Sequence, residues 1–88
     1  MVARVLGPLA DYDAEHGTDL LDSLQAFFAA QRSWQVAAKT LCVHRQTLIY
    51  RMRRVAEITG RNLDDLDDIA EIQLALRTRE LLTRAAGR

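Results

Sequence analysis

Apolar residues between positions 34 and 60 recur at helical spacing in two successive segments. The apolar positions of the first segment are Val36, Ala37 and Leu41, and those of the second are Leu48, Met52 and Val55. Residues spaced like the second set lie on one face of an α-helix. Only residues 42–44 separate the segments, so a tight turn joins them, and small Ala38 permits two steeply crossing helices to approach closely. This pattern predicts a helix-turn-helix, with Val43 filling the angle between its helices.

The rest of the chain also carries helix signals and shows no strand-like alternation. Pro8 and Gly17 mark the ends of a first helix, and Thr18 or Asp19 marks the start of a second helix that ends near residue 30. Ser33 marks the start of the first motif helix, and Gly60 marks the end of the second motif helix. The acids of 64–68 mark the start of a final helix over about 66–84. We therefore predict an all-α fold, a small bundle of about five helices that contains the helix-turn-helix.

Basic residues cluster in the same stretch as the two motif helices. They are Lys39, Arg45, Arg51, Arg53, Arg54 and Arg61. Between positions 39 and 61 the only acid is Glu57, so the local charge is +5 (six minus one), although the formal net charge of the chain is zero. Positive charge gathered on one surface attracts nucleic acid even when the total charge does not. The partner predicted from this pattern is double-stranded DNA.

The second motif helix, about residues 45–59, is predicted to enter the major groove as a recognition helix. The residues expected to read base edges are Arg45, Gln46, Ile49 and Tyr50, and those expected to contact the DNA backbone or the groove edge are His44, Thr47, Arg51, Arg53 and Arg54. Two assignments have alternatives. Ile49 is otherwise a partly covered edge of the core, and Thr47 is otherwise an internal residue that bonds its own backbone.

The turn contains the single cysteine of the chain, Cys42. Glycine is common at this position because the backbone there can need positive φ. We therefore expect either a different backbone or mild strain, and a Cys42 side chain buried as a small apolar filler. One cysteine excludes an intramolecular disulfide and fits a reducing, cytoplasmic setting. His44 lies at the N-cap of the recognition helix, distant from His16, so we expect no metal site and no cofactor.

Enzymatic and membrane functions find no support in the sequence. Acids lie at helix starts, where they favourably meet the helix dipole, and neither a nucleophile–base pair nor a phosphate-binding glycine loop is present. No apolar run approaches the ~18 residues of a membrane span. The alternative to DNA binding is a helical protein-interaction or oligomerisation module with a basic face. The final helix favours some association, since Leu74, Leu81 and Leu82 lie outside its main apolar stripe and would pack on a second copy or another domain.

The length allows one small domain. We interpret residues 1–17 as an N-terminal helical segment, the tail of a preceding region, 18–84 as the helix-turn-helix DNA-binding domain, and 85–88 as a frayed C-terminus. The first six residues look like the end of an earlier element, which suggests a fragment of a longer protein.

Residues 43–60, read as Val-His-Arg-Gln-Thr-Leu-Ile-Tyr-Arg-Met-Arg-Arg-Val-Ala-Glu-Ile-Thr-Gly, resemble the C-terminal helix-turn-helix domain of PucR-type transcriptional regulators. The resemblance extends over most of the chain, roughly residues 5–82. The resemblance implies a DNA-binding module at the C-terminus of a longer bacterial regulator with N-terminal effector-sensing domains, acting as a homodimer or higher oligomer. It implies as recognition residues His44, Arg45, Gln46, Thr47, Tyr50 and Arg51. This sequence departs from the family pattern at Gln46 and Ile49, which puts the DNA target in doubt and not the activity. It also has Leu66 where proline often begins the last helix, which should cost little.

Overall fold

The computed structural model describes residues 2–86, and these residues form α-helices joined by short connections. The helices are α1 (Val2–Val5), α2 (Gly7–His16), α3 (Leu20–Ala29), α4 (Trp34–Leu41), α5 (Arg45–Thr59) and α6 (Leu66–Ala86). No β-strand occurs within the described residues, which confirms the predicted all-α bundle with α4 and α5 as the motif helices. The prediction of about five helices did not count the one-turn α1, because its residues were read as the end of an earlier element.

The core collects side chains from each of these helices. Its buried members are Val5, Leu6, Leu9, Leu20, Leu21, Leu24, Phe27, Ala37, Ala38, Leu48, Met52, Val55, Ile72, Ala75 and Leu76. Full burial of one large aliphatic side chain contributes about 1.5–3 kcal/mol. The N-terminal segment completes the same core as residues 18–84, because Val5 and Leu9 are as fully buried as Leu48. Met1 lies outside the described residues, and a preceding region stays a prediction.

The start of α3 is capped by a residue of α2. The sequence predicted Thr18 or Asp19 as the cap, and Asp19 does occupy the N-cap position, but its side chain makes no capping hydrogen bond. The Asp13 carboxylate instead accepts the backbone N–H groups of Leu20 and Leu21, both at 2.9 Å, together with the Thr18 hydroxyl. A carboxylate at this end of the helix also meets the positive end of its dipole. Asp13 thereby joins α2 to α3.

Helix α4 begins as predicted but buries a different face. The Ser33 hydroxyl accepts the N–H of Val36 at 3.2 Å and caps the helix. The assignment of Val36 to the apolar face is wrong, because its side chain is 52% exposed. The buried residues are Ala37 and Ala38, with Leu41 half-buried. The buried face of α4 is therefore centred about one residue later in the sequence than predicted. Because two of its residues are alanines, α4 can lie close to the neighbouring helices.

Helix α6 starts at an acidic turn and continues past its expected end. The Asp65 carboxylate accepts the N–H groups of Asp67 at 2.9 Å and Asp68 at 3.0 Å. The helix was expected to end at Arg84, whereas it runs through Ala86. The two added residues are alanines, which have the highest helix propensity. Residues 87 and 88, part of the C-terminus predicted to fray, lie outside the described residues.

The two sides of α6 have different environments. Its buried residues are Ile69, Ile72, Ala75 and Leu76. On other sides Leu74, Leu81 and Leu82 are exposed, each by half or more of its surface. The sequence had placed these three leucines outside the main stripe, and the structure agrees.

Candidate nucleic-acid interface

The connection between α4 and α5 is a left-handed turn at Cys42. Its backbone has φ 57° and ψ 40°, and the next N–H, of Val43, donates to the carbonyl of Ala38 at 3.0 Å. Cys42 therefore adopts the positive φ that glycine would adopt freely. Of the two outcomes expected from the sequence, a different backbone or mild strain, the structure has the mild strain. The prediction that the Cys42 side chain is buried is wrong, because it is exposed. The residue that packs against the core at this turn is Val43.

The beginning of α5 is exposed and has no side-chain cap. His44 occupies the N-cap position, as predicted, with an extended backbone and no capping hydrogen bond from its side chain. The carbonyl of His44 accepts the N–H of Leu48 at 3.2 Å, which is the first backbone bond of the helix. The N–H groups of the first turn have no partners inside a helix and carry its positive dipole end. Such an end is suited to bind a phosphate.

One side of α5, here called the outer strip, carries the predicted base-reading residues together with Arg53, which was predicted to contact the DNA backbone or the groove edge. The outer strip consists of Arg45, Gln46, Ile49, Tyr50 and Arg53. The side chains of Leu48, Met52 and Val55 are buried on the other side, which confirms the predicted inner face. Tyr50 is 63% exposed, while Ile49 is half-buried, so it lies at the edge of the core as well as on the strip.

Thr47 lies in the first turn of α5 and is exposed. Its hydroxyl makes no hydrogen bond within residues 2–86, whereas Thr40 and Thr59 each bond a backbone carbonyl four residues earlier. The alternative in which Thr47 bonds its own helix is therefore not what the structure shows.

Arg51 lies on a flank of α5 that faces α3. Its Nη1 atom donates to the Ser23 hydroxyl at 3.0 Å. Ser23 is completely buried, and its own hydroxyl donates to the carbonyl of Asp19 at 2.8 Å. The sequence reasoning missed Ser23. A signal was present, because Ser23 is a polar residue three positions after Leu20 on a helix face that is otherwise apolar.

Arg54 lies on the same flank and contacts α2. The carbon Cζ of its guanidinium is 5.7 Å from the centre of the Tyr12 ring, within the range of a cation–π interaction. Its Nη1 is 3.6 Å from the Glu57 carboxylate, and its Nε is buried without a hydrogen-bond partner in the described part of the chain. The pKa of Arg54 is raised, mainly by the Tyr12 side chain and less by Tyr50 and Glu57. Arg54 therefore stays charged while it holds α5 against α2.

Arg61, which contributed to the basic cluster in the sequence, faces α6. Its Nε donates to the Glu71 carboxylate at 2.9 Å, and its Nη1 donates to the carbonyl of Thr59 at 2.8 Å. The hydrogen bond to Glu71 raises the pKa of Arg61. Within residues 2–86 no ion pair engages Lys39, Arg45 or Arg53. Unpaired positive charge is therefore present at the end of α4 and on the outer strip of α5.

Metal and membrane features are not part of this surface. Within residues 2–86 there is no group of three His, Cys, Asp or Glu side chains that could hold a metal ion. None of the described helices is long and apolar enough to cross a membrane.

The comparisons with known proteins agree with one another on the protein family. The model of the PucR C-terminal helix-turn-helix domain matches residues 20–78. The transcriptional activator PmfR of Paenarthrobacter nicotinovorans is 43% identical over 77 residues, which cover 88% of this chain and 16% of that protein. The carbohydrate diacid regulator of Escherichia coli is 35% identical over 74 residues, 83% of this chain and 19% of that protein. The DNA-binding transcriptional activator AdeR of Bacillus subtilis is 29% identical over 76 residues, 86% of this chain and 18% of that protein.

The chain spans less than a fifth of the length of each of these relatives. No solved structure matches it. The family model covers the helices from α3 to α5 and more than half of α6, including the left-handed turn and the outer strip. The chain therefore belongs to the PucR C-terminal helix-turn-helix domain family, as a DNA-binding domain of a transcriptional regulator.

Proposed function

We propose that α5 is the recognition helix of a sequence-specific DNA-binding domain and that its outer strip enters the major groove. The observation that carries this proposal is the division of α5 into a buried face and an exposed basic and polar face. The N-terminus of the helix is exposed and has no side-chain cap. A helix of this kind is what a helix-turn-helix inserts into DNA, with the N-terminal residues closest to the bases.

The outer strip has side chains for each kind of base contact. An arginine such as Arg45 donates two hydrogen bonds to guanine, and Gln46 pairs in the same way with adenine. Arg53, further along the strip, would contact a phosphate. Ile49 offers an apolar edge to a thymine methyl group, and Tyr50 a hydroxyl to a base or a phosphate.

The phosphates on one side of the groove would meet the start of α5. His44 and Thr47 would contact them together with the free N–H groups of the first turn. Arg51 and Arg54 border the interface, and each already contacts another helix of the domain.

The domain is proposed to act as part of a longer regulator in the cytoplasm. Support comes from the relatives, which are all much longer than this chain and are named as transcriptional activators or regulators. Effector-sensing domains would then lie in the rest of the protein. A homodimer would address two half-sites about 34 Å apart along DNA, and the domain measures 34 × 28 × 27 Å, so one copy per helical turn fits. Nothing in this surface suits catalysis, and we assign no enzymatic activity.

Selection from a random duplex library at about 150 mM salt tests the proposal, followed by titration of the enriched duplex by fluorescence anisotropy. We expect a two-fold-symmetric motif, and we expect Arg45→Ala to weaken binding by about 1–3 kcal/mol and to relax preference at one base pair per half-site. Arg77→Ala is the matched control, since Arg77 is an exposed arginine of α6 and its loss changes net charge equally. Binding that shows no enriched sequence and simply disappears as salt rises would contradict the proposal.

A further inference from the structure

Arg51 differs from the arginines of the outer strip in the position of its guanidinium group. Arg45 and Arg53 are exposed, whereas Arg51 is half-buried and reaches α3. We propose that Arg51 is a positioning residue of the recognition helix, which acts on DNA binding by holding α5 to the buried hydroxyl of Ser23 and not by gripping a phosphate. This inference rests on the proposed function of α5.

The two hydrogen bonds of the Ser23 hydroxyl can be assigned a direction in only one way. A serine hydroxyl has a single proton to donate. That proton goes to the carbonyl of Asp19 at 2.8 Å, so the oxygen accepts from Nη1 of Arg51 at 3.0 Å. A hydrogen bond from a cationic donor is stronger than a neutral one, and the complete burial of Ser23 strengthens it further by lowering the local dielectric. The contact is thus specific in geometry and resistant to competition from water.

The place of Arg51 on α5 makes this contact sensitive to rotation of the helix. It follows Leu48 by three residues and precedes Val55 by four, so it lies at the border of the buried face. Rotation of a helix by about 10° displaces atoms at roughly 5–6 Å from its axis by about 1 Å. Recognition requires side chains to be held within about 0.5 Å and 10–20° of the productive geometry. The bond to Ser23 therefore fixes an angle on which the contacts of the outer strip depend.

A second contact on the same flank acts in the same sense. Arg54 lies over the ring of Tyr12 on α2, one turn beyond Arg51. The two arginines thus hold the same side of α5 to two different helices. Arg53, between them in sequence, is exposed and points to the outer strip. Neighbouring arginines on α5 therefore divide into one that is available to DNA and two that contact the domain itself.

The test is a double-mutant cycle on the 88-residue chain with the duplex enriched by selection. Affinities of wild type, Arg51→Ala, Ser23→Ala and the double variant are measured by anisotropy between 50 and 200 mM salt. Arg53→Ala serves as the matched arginine control. A residue that neutralises a phosphate lowers the slope of log affinity against log salt by about 0.9, whereas a positioning residue leaves the slope unchanged.

We expect Arg51→Ala and Ser23→Ala each to weaken binding about five- to tenfold, the double variant to bind no worse than the weaker single variant, and the salt slope to change only in Arg53→Ala. Thermal melting identifies any variant that does not fold. Should Ser23→Ala not fold, the comparison of salt slopes between Arg51→Met and Arg53→Ala still decides. A slope lowered by about 0.9 in the Arg51 variant, additive losses, or unchanged affinity in Ser23→Ala would overturn the positioning role. A wild type that selects no duplex would instead contradict the proposed function, and the positioning role with it.

Discussion

Cys42 is the residue at which the chain turns between the two motif helices, and its backbone has a left-handed conformation that is unfavourable to a side chain. For residues other than glycine the left-handed region costs roughly 1–2 kcal/mol. The turn tolerates this because the N–H groups after α4 find carbonyl partners within the helix, that of Cys42 at 3.1 Å from Lys39 and that of Val43 at 3.0 Å from Ala38. The Cys42 side chain is exposed and adds no packing in return.

Replacement of Cys42 by glycine is therefore expected to stabilise the domain by about 0.5–1 kcal/mol, because the strain disappears and no buried contact is lost. The gain is smaller than the whole strain energy because glycine also makes the unfolded chain more flexible. Urea unfolding followed by circular dichroism measures the change. Gly60→Ala is the matched control, since Gly60 has φ 68° at the end of α5, and it should destabilise. A Cys42→Gly variant that is less stable than wild type would contradict this account of the turn.

For single residues, the sequence predicted the backbone conformation better than it predicted whether the side chain is buried or exposed. The positive φ at Cys42 could be anticipated because helix-turn-helix turns commonly need it. The exposure of Cys42 and of Val36 could not, because one residue along a helix is a rotation of 100° and the centre of the buried face depends on the neighbouring helices. Gln31 and Arg32 also have positive φ, 57° and 61°, between α3 and α4. Neither residue type signals that conformation.

At the level of elements, the helices are joined by side chains that cap or tether a neighbour. Asp13 of α2 accepts two N–H groups at the start of α3. Ser23 of α3 accepts from Arg51 of α5, and Tyr12 of α2 lies under Arg54 of α5. Helices α2 and α3 therefore form the support on which α5 is held, and changes in that support should reach the outer strip.

Loss of the α3 cap tests this support. Asp13→Ala removes a carboxylate that accepts two backbone N–H groups, and N-cap losses typically cost about 0.5–2 kcal/mol. We expect a destabilisation of about 1–2 kcal/mol, measured by urea unfolding. Asp11→Ala is the control, because Asp11 is an exposed aspartate on the same helix, and it should change stability by less than about 0.5 kcal/mol. Equal effects of the two substitutions would show that Asp13 does not cap α3.

The helix boundaries were predictable because their signals are local. Pro8, Ser33 and Gly60 act within one turn of the helix end that they mark. The N-cap position of α3 was predicted at Thr18 or Asp19 and lies at Asp19, but the side chain that caps the helix was missed because Asp13 lies seven positions before Leu20. That distance closes only after the chain has turned at Gly17, so no pattern of spacing on one helix reveals it.

At the scale of the whole molecule, α6 is fastened to the rest by polar contacts at its edges as well as by its core face. Arg61, after α5, bonds Glu71 at 2.9 Å, and Nη1 of Arg79 donates to the Gln25 amide oxygen of α3 at 3.4 Å. Arg61 therefore belongs to the α6 side of the molecule, whereas Arg45 and Arg53 of the outer strip have no ion pair within residues 2–86.

The Arg61–Glu71 pair should make stability depend on acid pH. The hydrogen bond from Arg61 lowers the pKa of Glu71 below its ordinary value of 4.5. A lowered pKa means that the ionised form is favoured in the folded state, so the contribution is complete above 4.5 and is lost as pH falls through the lowered folded value. The difference in stability between wild type and Glu71→Gln should therefore be largest near neutral pH and vanish in acid. Urea unfolding from pH 7 to pH 2 measures it, with Glu15→Gln as an exposed control; a constant difference across this range would contradict the pair.

The exposed surface of α5 could be predicted from the sequence, but the different contacts of its arginines could not. Spacing predicted that the outer strip lies outside the face of Leu48, Met52 and Val55, and that face is buried while the strip is exposed apart from half-buried Ile49. The same information treated Arg51 and Arg53 alike, although one contacts Ser23 and the other is exposed. Their difference depends on residues of α3 that lie 28 positions away in the chain, so only the packed structure separates them.

The most direct test of the central claim maps the DNA surface residue by residue. Amide chemical shifts of the isotope-labelled domain would be followed by NMR during titration with the enriched duplex and with a scrambled duplex of equal length. We expect the largest changes to be specific to the enriched duplex and to lie in residues 44–50 and at Arg53, with the exposed leucine side of α6 unaffected. Equal changes with both duplexes, or changes centred on α6, would contradict the assignment of α5 as the recognition helix.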